Sequence, residues 1–264
     1  MKIQCEIWKA VPDRVQEGNF VTYELEAEPN DTVLDALVSI YQQYDPTLSF
    51  RYACGVAPCG ECAMLINGEP HMACDKAVEP SLRIEPLPWL PLIKDTVIDR
   101  RYLFVHIREM LPKAEEVPDR EAHFQVMGEA LLHTEIENSI RLTTCFECFI
   151  CQSSCPRYQA GSEAFPGPLG LLMLAQMREN PLQVPLTQAQ VEQMTAFCMR
   201  CGKCVKSCPA AQKPLELGLA LLNTPPRRYM RLTVRDRASV TLHTQKLTEG
   251  ELPPPAHDTG LWPP

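Results

Sequence analysis

Across residues 2–9 apolar and polar positions alternate, with Ile3, Cys5 and Ile7 on one side and Gln4, Glu6 and Trp8 on the other. A period of two turns one face of a strand toward a core. Residues 20–27 alternate in the same way through Val21, Tyr23 and Leu25. The two segments are expected to pair as a hairpin through the polar stretch 13–19. The period then changes. Val33, Leu37, Ile40 and Tyr44 recur at helical spacing, with Asn30 or Asp31 as candidate caps. Residues 63–66 and 82–84 read as two short strands, and Asn67-Gly68 is a turn signal. The run PLPWLP at residues 86–91 then breaks regular structure.

From about Asp99 the pattern is helical. The expected helices cover residues 100–110, 120–140, 169–180, 187–197 and 215–222. The last residues, from about 252, hold five prolines and no apolar period, and read as an extended tail. The pattern divides the chain into an N-terminal α+β domain (1–98), an all-helical domain (99–240) and a proline-rich tail (241–264).

Composition narrows the picture. A chain of 264 residues that is 45 % hydrophobic and 22 % charged is of ordinary globular usage, long enough for one large or two ordinary domains. The net charge of -8 disfavours a general nucleic-acid-binding surface, so no nucleic-acid partner is expected. The uncharged stretch 164–177 contains Pro166 and Pro168 and is shorter than the roughly 20 apolar residues of a membrane helix. The first residues, MKIQCEIWKAVPDR, show no apolar signal region, so a cytoplasmic chain is expected. Proline is unusually frequent at 25 residues, which favours short elements.

Cysteine changes the picture most. Of 13 cysteines, all but Cys5 fall into three groups of four. Close spacings in a reducing compartment point to metal rather than disulfides. Cys54, Cys59 and Cys62 form C-x4-C-x2-C, with Cys74 as a distant fourth, the plant-type spacing of a [2Fe–2S] cluster. Gly55 and Gly60 suit a loop whose backbone must approach an anionic cluster closely. A structural zinc site is the alternative, but zinc usually takes paired ligands in two halves. Cys145, Cys148, Cys151 and Cys155-Pro156 form one C-x2-C-x2-C-x3-C-P run, and Cys198, Cys201, Cys204 and Cys208-Pro209 form a second. This is a [4Fe–4S] signature in which the fourth cysteine serves the other cluster. Cluster A is therefore expected on Cys145, Cys148, Cys151 and Cys208, and cluster B on Cys155, Cys198, Cys201 and Cys204.

Three clusters in one chain imply a conductor of single electrons with no substrate catalysis of its own. No G-x-G-x-x-G or P-loop is present. The histidines His71, His106, His123, His133, His243 and His257 are scattered, and read as surface or locally bonded residues. Cys5 reads as a buried, inert thiol. The basic run Arg227, Arg228, Arg231, Arg235 and Arg237 reads as a solvated face.

This order of motifs resembles the iron–sulfur subunit of the succinate dehydrogenase/fumarate reductase family. The resemblance is carried by TVLDALVSIYQQYDPTLSFRYACGVAPCGECAMLINGEPHMAC (32–74), PLPWLPLIKD (86–95), RLTTCFECFICQSSCP (141–156), FPGP (165–168) and the final Cys-Pro group, and it extends to about residue 222. It implies a β-grasp [2Fe–2S] ferredoxin domain followed by a bacterial-ferredoxin-like helical domain with two clusters. It also implies a FAD-containing flavoprotein partner and a membrane-anchor or cysteine-rich, quinone-linked subunit. The complex would lie peripherally on the cytoplasmic face of the inner membrane, relaying electrons between flavin and quinone or another low-potential carrier. An iron–sulfur adaptor for another flavoprotein reductase, or for a heterodisulfide-type system, is the alternative. In common members of the family an aliphatic residue stands at the position of Cys201 and cluster B is [3Fe–4S]. With Cys201 present a full [4Fe–4S] of lower potential is expected, since net charge is one of the terms that set it. The family's quinone-side histidine is Met199 here, and Arg157-Tyr158-Gln159 stands where a tryptophan is usual.

Overall fold

The computed structural model describes residues 1–11, 14–113, 133–158, 165–180 and 186–224. Strands β1 (Lys2–Val11) and β2 (Arg14–Glu26) pair antiparallel, in register from Lys2↔Glu26 to Ala10↔Gly18. The ladder therefore runs on through the stretch expected to be loop. Trp8 and Phe20 face each other across it, their rings edge to face at 5.5 Å. A cross-strand aromatic pair of this kind adds about 0.2–1 kcal/mol.

Helix α1 (Val33–Gln43) starts behind Thr32, not behind Asn30 or Asp31. Thr32 and Asp35 exchange hydrogen bonds in a capping box, while Asp31 accepts the N–H of Glu28 at 2.8 Å. Val33, Leu37 and Ile40 are buried as their spacing required, whereas Tyr44 sits at the C-cap and is exposed. Strands β3 (Ala63–Ile66), β4 (Glu69–Met72) and β5 (Ser81–Glu85) complete a five-stranded mixed sheet in the order β2-β1-β5-β3-β4. Only β1 and β5 run parallel in it, so a crossover joins them, and that crossover carries α1. Ile3, Cys5, Ile7, Leu37, Ile40, Leu82 and Ile84 share one core and are each 2 % exposed or less. Burying an aliphatic side chain of this size contributes about 1.5–3 kcal/mol. This is a β-grasp arrangement of sheet and helix. The Asn67-Gly68 turn has φ values of 50° and 81°, as a type I′ hairpin demands.

Strand β4 has no expected counterpart; Glu69-Pro70-His71-Met72 carries no alternation, and its pairing comes from the tight turn before it. A second hairpin, β6 (Leu92–Lys94) and β7 (Val97–Ile98), follows the proline run. Its turn holds Asp95, fully buried at φ 47°, whose carboxylate accepts N–H bonds from Ala10 (2.9 Å) and Ser49 (2.8 Å).

Beyond Asp99 the described elements are all helices. Asp99 caps α2 (Arg100–Met110) by accepting the Tyr102 N–H at 2.9 Å. There follow α3 (His133–Leu142), α4 (Ile150–Ser153), α5 (Gly167–Glu179), α6 (Gln188–Thr195), α7 (Lys203–Lys206) and α8 (Pro214–Leu222). Helix α5 starts two residues before the expected position because Pro168 suits its first turn. Arg178 of α5, 3 % exposed, donates to the carbonyls of Leu221 (2.7 Å) and Thr224 (2.6 Å) and ties α5 to the end of α8.

Residues 120–132 of one expected helix, the His133 side chain, Gln159, His123, His243, His257, the arginines from Arg227 to Arg237 and the tail 241–264 lie outside the described residues.

Candidate metal centres

All 12 clustered cysteines are free thiols. The first group lies on an irregular loop between α1 and β3, with Cys74 in the turn after β4. Gly55, Ala57 and Gly60 all have positive φ, at 72°, 72° and 74°. This backbone turns N–H groups toward sulfur: Val56 donates to Cys54 (3.4 Å), Ala57 to Cys74 (3.2 Å), Glu61 to Cys59 (3.5 Å) and Cys74 to Cys62 (3.5 Å). Such a nest of donors favours anionic sulfur. Cys62 and Cys74 are buried with their sulfurs 3.3 Å apart, while Cys54 is exposed. The start of α1 fixes the Cys74 turn, because Leu34 donates to the Ala73 carbonyl (3.0 Å) and Val33 to that of Lys76 (2.8 Å).

The two later groups repeat one backbone shape. The residues before and after the second cysteine are left-handed in both runs: Glu147 and Phe149 (φ 53° and 63°), Arg200 and Gly202 (φ 53° and 73°). Each run then makes one helical turn, α4 or α7, which carries the third cysteine. Cys145, Cys148, Cys151 and Cys208 wall one cavity, of about 20 Å³. Cys155, Cys198, Cys201 and Cys204 wall a second, of about 480 Å³. Each cavity therefore draws three cysteines from one run and the last from the other. Cys204 lies close enough to Cys151 to disfavour its charge, so the cavities adjoin. The first group reaches the second through Gly60, which packs against the Phe146 carbonyl and the Cys148 backbone. Arg100 clamps this contact by pairing with Glu61 and donating to the Glu147 carbonyl at 3.0 Å.

Among the described residues no three Cys, His, Asp or Glu side chains converge on a point fit for one ion. The cysteines of the two later groups ring cavities, which suits a core of several atoms. Burial pushes the thiols of Cys62 and Cys148 up to about 12 and that of Cys204 up to about 11. The Val56 N–H lowers that of the exposed Cys54. Sulfurs that resist ionising singly, yet are gathered in fours with backbone donors aimed at them, fit a cationic iron core that offsets their charge. By contrast Cys5, fully buried under the sheet and raised to about 11, stands outside every group. His71 pairs with Glu69 at 3.4 Å and His106 stacks on Tyr102. Spacing singled out the cysteines. The left-handed pairs, the Gly60–Phe146 contact and the unequal cavities had no marker beyond Gly60 and Gly202.

Comparison with known proteins agrees. Residues 4–105 match the model of a 2Fe-2S iron-sulfur cluster binding domain, and residues 141–212 that of a 4Fe-4S dicluster domain. The chain is 29 % identical over 182 residues to the fumarate reductase iron-sulfur subunit of Haemophilus influenzae, covering 65 % of this chain and 71 % of that one. This iron–sulfur protein resembles the iron–sulfur subunits of the succinate dehydrogenase/fumarate reductase family. It is also 29 % identical over 213 residues to a fumarate reductase (CoM/CoB) subunit from Methanothermobacter marburgensis, covering 78 % of this chain and 41 % of that one. An uncharacterized iron-sulfur protein of Methanocaldococcus jannaschii matches at 29 % over 246 residues, 86 % of this chain and 46 % of its own length. The iron–sulfur protein thus spans less than half the length of these last two relatives. In fold it matches a chain of the Mycobacterium smegmatis Sdh1 complex in the apo form, with a TM-score of 0.71, 22 % identity, and coverage of 84 % of this chain and 93 % of that chain. Among the described residues no helix is long and apolar enough to cross a membrane.

Proposed function

We propose that this iron–sulfur protein is the electron-relay subunit of a succinate dehydrogenase/fumarate reductase-type complex. It carries single electrons between a FAD-containing flavoprotein subunit and a membrane quinone site or other low-potential carrier. The complex sits peripherally on the cytoplasmic face of the membrane, and no substrate is transformed on this chain. Cys54, Cys59, Cys62 and Cys74 hold a [2Fe–2S] cluster. Cys145, Cys148, Cys151 and Cys208 hold one [4Fe–4S] cluster, and Cys155, Cys198, Cys201 and Cys204 hold the other. Bound clusters of these types accept and return single electrons. The chain's own residues supply the thiolates, aim N–H groups at them and exclude water from the buried corners.

The observation that carries this reading is the pair of cavities, each walled by four cysteines in the crossed pattern. The order of the three groups along the molecule supports a relay. Cys201 and Met199, at positions where the family carries an aliphatic residue and a histidine, favour a low-potential carrier at the cluster B end. Elemental analysis of anaerobically purified protein tests the assignment, with roughly ten irons per chain expected. A colourless protein holding zinc and no acid-labile sulfide refutes it. Co-purification tests the complex: a FAD flavoprotein with succinate- or fumarate-linked activity is expected, and a flavoprotein without that activity points to the adaptor alternative.

A further inference from the structure

The two four-cysteine cavities differ in one respect that cluster binding does not explain. The space around Cys145, Cys148, Cys151 and Cys208 is about 20 Å³, whereas that around Cys155, Cys198, Cys201 and Cys204 is about 480 Å³. The larger cavity opens to solvent, and Cys201 is exposed at its edge beside Met199, itself 57 % exposed. The rim is basic. Arg157, Arg200 and Lys206 line the opening, and Lys203 stands on the turn of α7 that follows Cys201. All four are exposed, and none is ion-paired with any described residue. Lys213 nearby is engaged with the Cys208 carbonyl at 2.5 Å. Among the described residues the one carboxylate lining the opening is Glu216. Three such cations lining one opening, with a fourth on the adjoining turn, stand out in a chain whose net charge is -8.

We infer that this rim is an electron-exchange surface selective for negatively charged redox partners, and that it receives an acidic surface of a partner protein. The inference rests on the proposed function, which places a cluster behind Cys201. Opposite charge concentrated at a concave, apolar-floored opening raises encounter rates by about 10–1,000-fold and loses that gain as salt rises. The carboxylates of an acidic partner would meet Arg157, Arg200, Lys203 and Lys206. An apolar side chain at their centre would enter against Met199, Phe165 and Leu219.

The sign of a salt effect decides the matter, because local and global charge oppose each other. The dithionite-reduced, full-length protein is mixed anaerobically with ferricyanide, a trianion, or with hexaammineruthenium(III), a trication. Each mixing moves one electron from the reduced protein to the metal complex, giving ferrocyanide or ruthenium(II), with no bond made and no proton moved. The expected result is oxidation by ferricyanide that slows as sodium chloride is added, and oxidation by the ruthenium complex that does not. If the net charge governs, ferricyanide oxidation speeds up with salt, and the inference fails. The triple variant Arg200→Glu, Lys203→Glu, Lys206→Glu is expected to slow the ferricyanide reaction about tenfold or more at low salt and to spare the ruthenium reaction. Equal slowing of both, or of neither, also overturns the inference. Should the triple variant lose its clusters, the salt dependence of the unaltered protein and the single variant Lys206→Gln still decide. Electron paramagnetic resonance of each sample separates the two levels of reading. Missing cubane signals in the unaltered protein defeat the proposed function; intact signals without charge discrimination defeat the inference alone.

Discussion

Gly60 joins the two domains at backbone distance, and replacing it isolates the energy of that approach. Its φ of 74° is unfavourable for any residue with a Cβ, at a cost of about 1–2 kcal/mol. A Cβ there would also strike the Phe146 carbonyl oxygen, and would stand 3.2 Å from the Cα of Cys148. These neighbours are backbone, so they cannot swing aside, and overpacking of this kind costs about 1–3 kcal/mol more. Gly55 is the control. It lies in the same loop at φ 72°, but a Cβ on it meets nothing within 4 Å. Gly55→Ala therefore carries the strain alone, and Gly60→Ala carries strain and collision together. The effect on the unfolded chain is common to both and cancels. The expected excess for Gly60→Ala is about 1–3 kcal/mol, or roughly 2–12 °C in melting temperature for a chain of this size. Anaerobic thermal unfolding followed by visible absorption measures it. Magnetic coupling between the [2Fe–2S] centre and its neighbour should weaken in Gly60→Ala and persist in Gly55→Ala. Equal melting temperatures for the two variants would refute the claim that this glycine sets the spacing of the domains.

Further outcomes follow from other parts of the molecule. Cys201→Ile is expected to turn the second cubane into a three-iron centre with a new signal in the oxidised protein, leaving the [2Fe–2S] signal unchanged; an unaltered oxidised spectrum would contradict the assignment. Burial alone would raise the Asp45 carboxyl, but bonds from Lys9, Thr47 and Tyr23, all 2.6 Å, outweigh it and hold the group well below the usual carboxylate range. Its contribution to stability is therefore present above the ordinary value of about 4 and lost as pH falls below it. Asp45→Asn should be most damaging near pH 7, and the gap to the unaltered protein should narrow from about pH 4 downward; a gap independent of pH sinks this reading. Cys5→Ala should cost about 0.5–3 kcal/mol, as core truncations do, with no change in iron content; any loss of iron would show Cys5 to be more than a core thiol.

The strands β1 and β2, helix α1 and helix α2 were legible because each is long enough to show its period and has one buried face. The cap of α1 was misplaced because Thr32 pairs with Asp35, where the usual capping signal has Glu or Gln. Strands β6 and β7, of three and two residues, and helices α4 and α7, of four residues each, are shorter than any period can mark. The cysteines at the candidate site were legible from spacing alone, since three sulfurs on one loop impose fixed intervals. Their surroundings were not. Phe149 adopts φ 63° although it is a bulky aromatic. It does so because the fold buries it to 1 % against Phe104, with the ring centres 5.1 Å apart. That compensation is tertiary and leaves no local trace. The same holds for the size of the second cavity, which depends on how α5, α6 and α8 close around it.

Walls shared between distant runs make the helical domain an interlocked object. Neither Cys-Pro segment encloses a complete chamber, so a half cut from its counterpart would have nowhere to seat an inorganic core. Damage to one chamber must loosen the other, and assembly during synthesis has to wait until both segments have emerged. Such a domain is gained or lost whole.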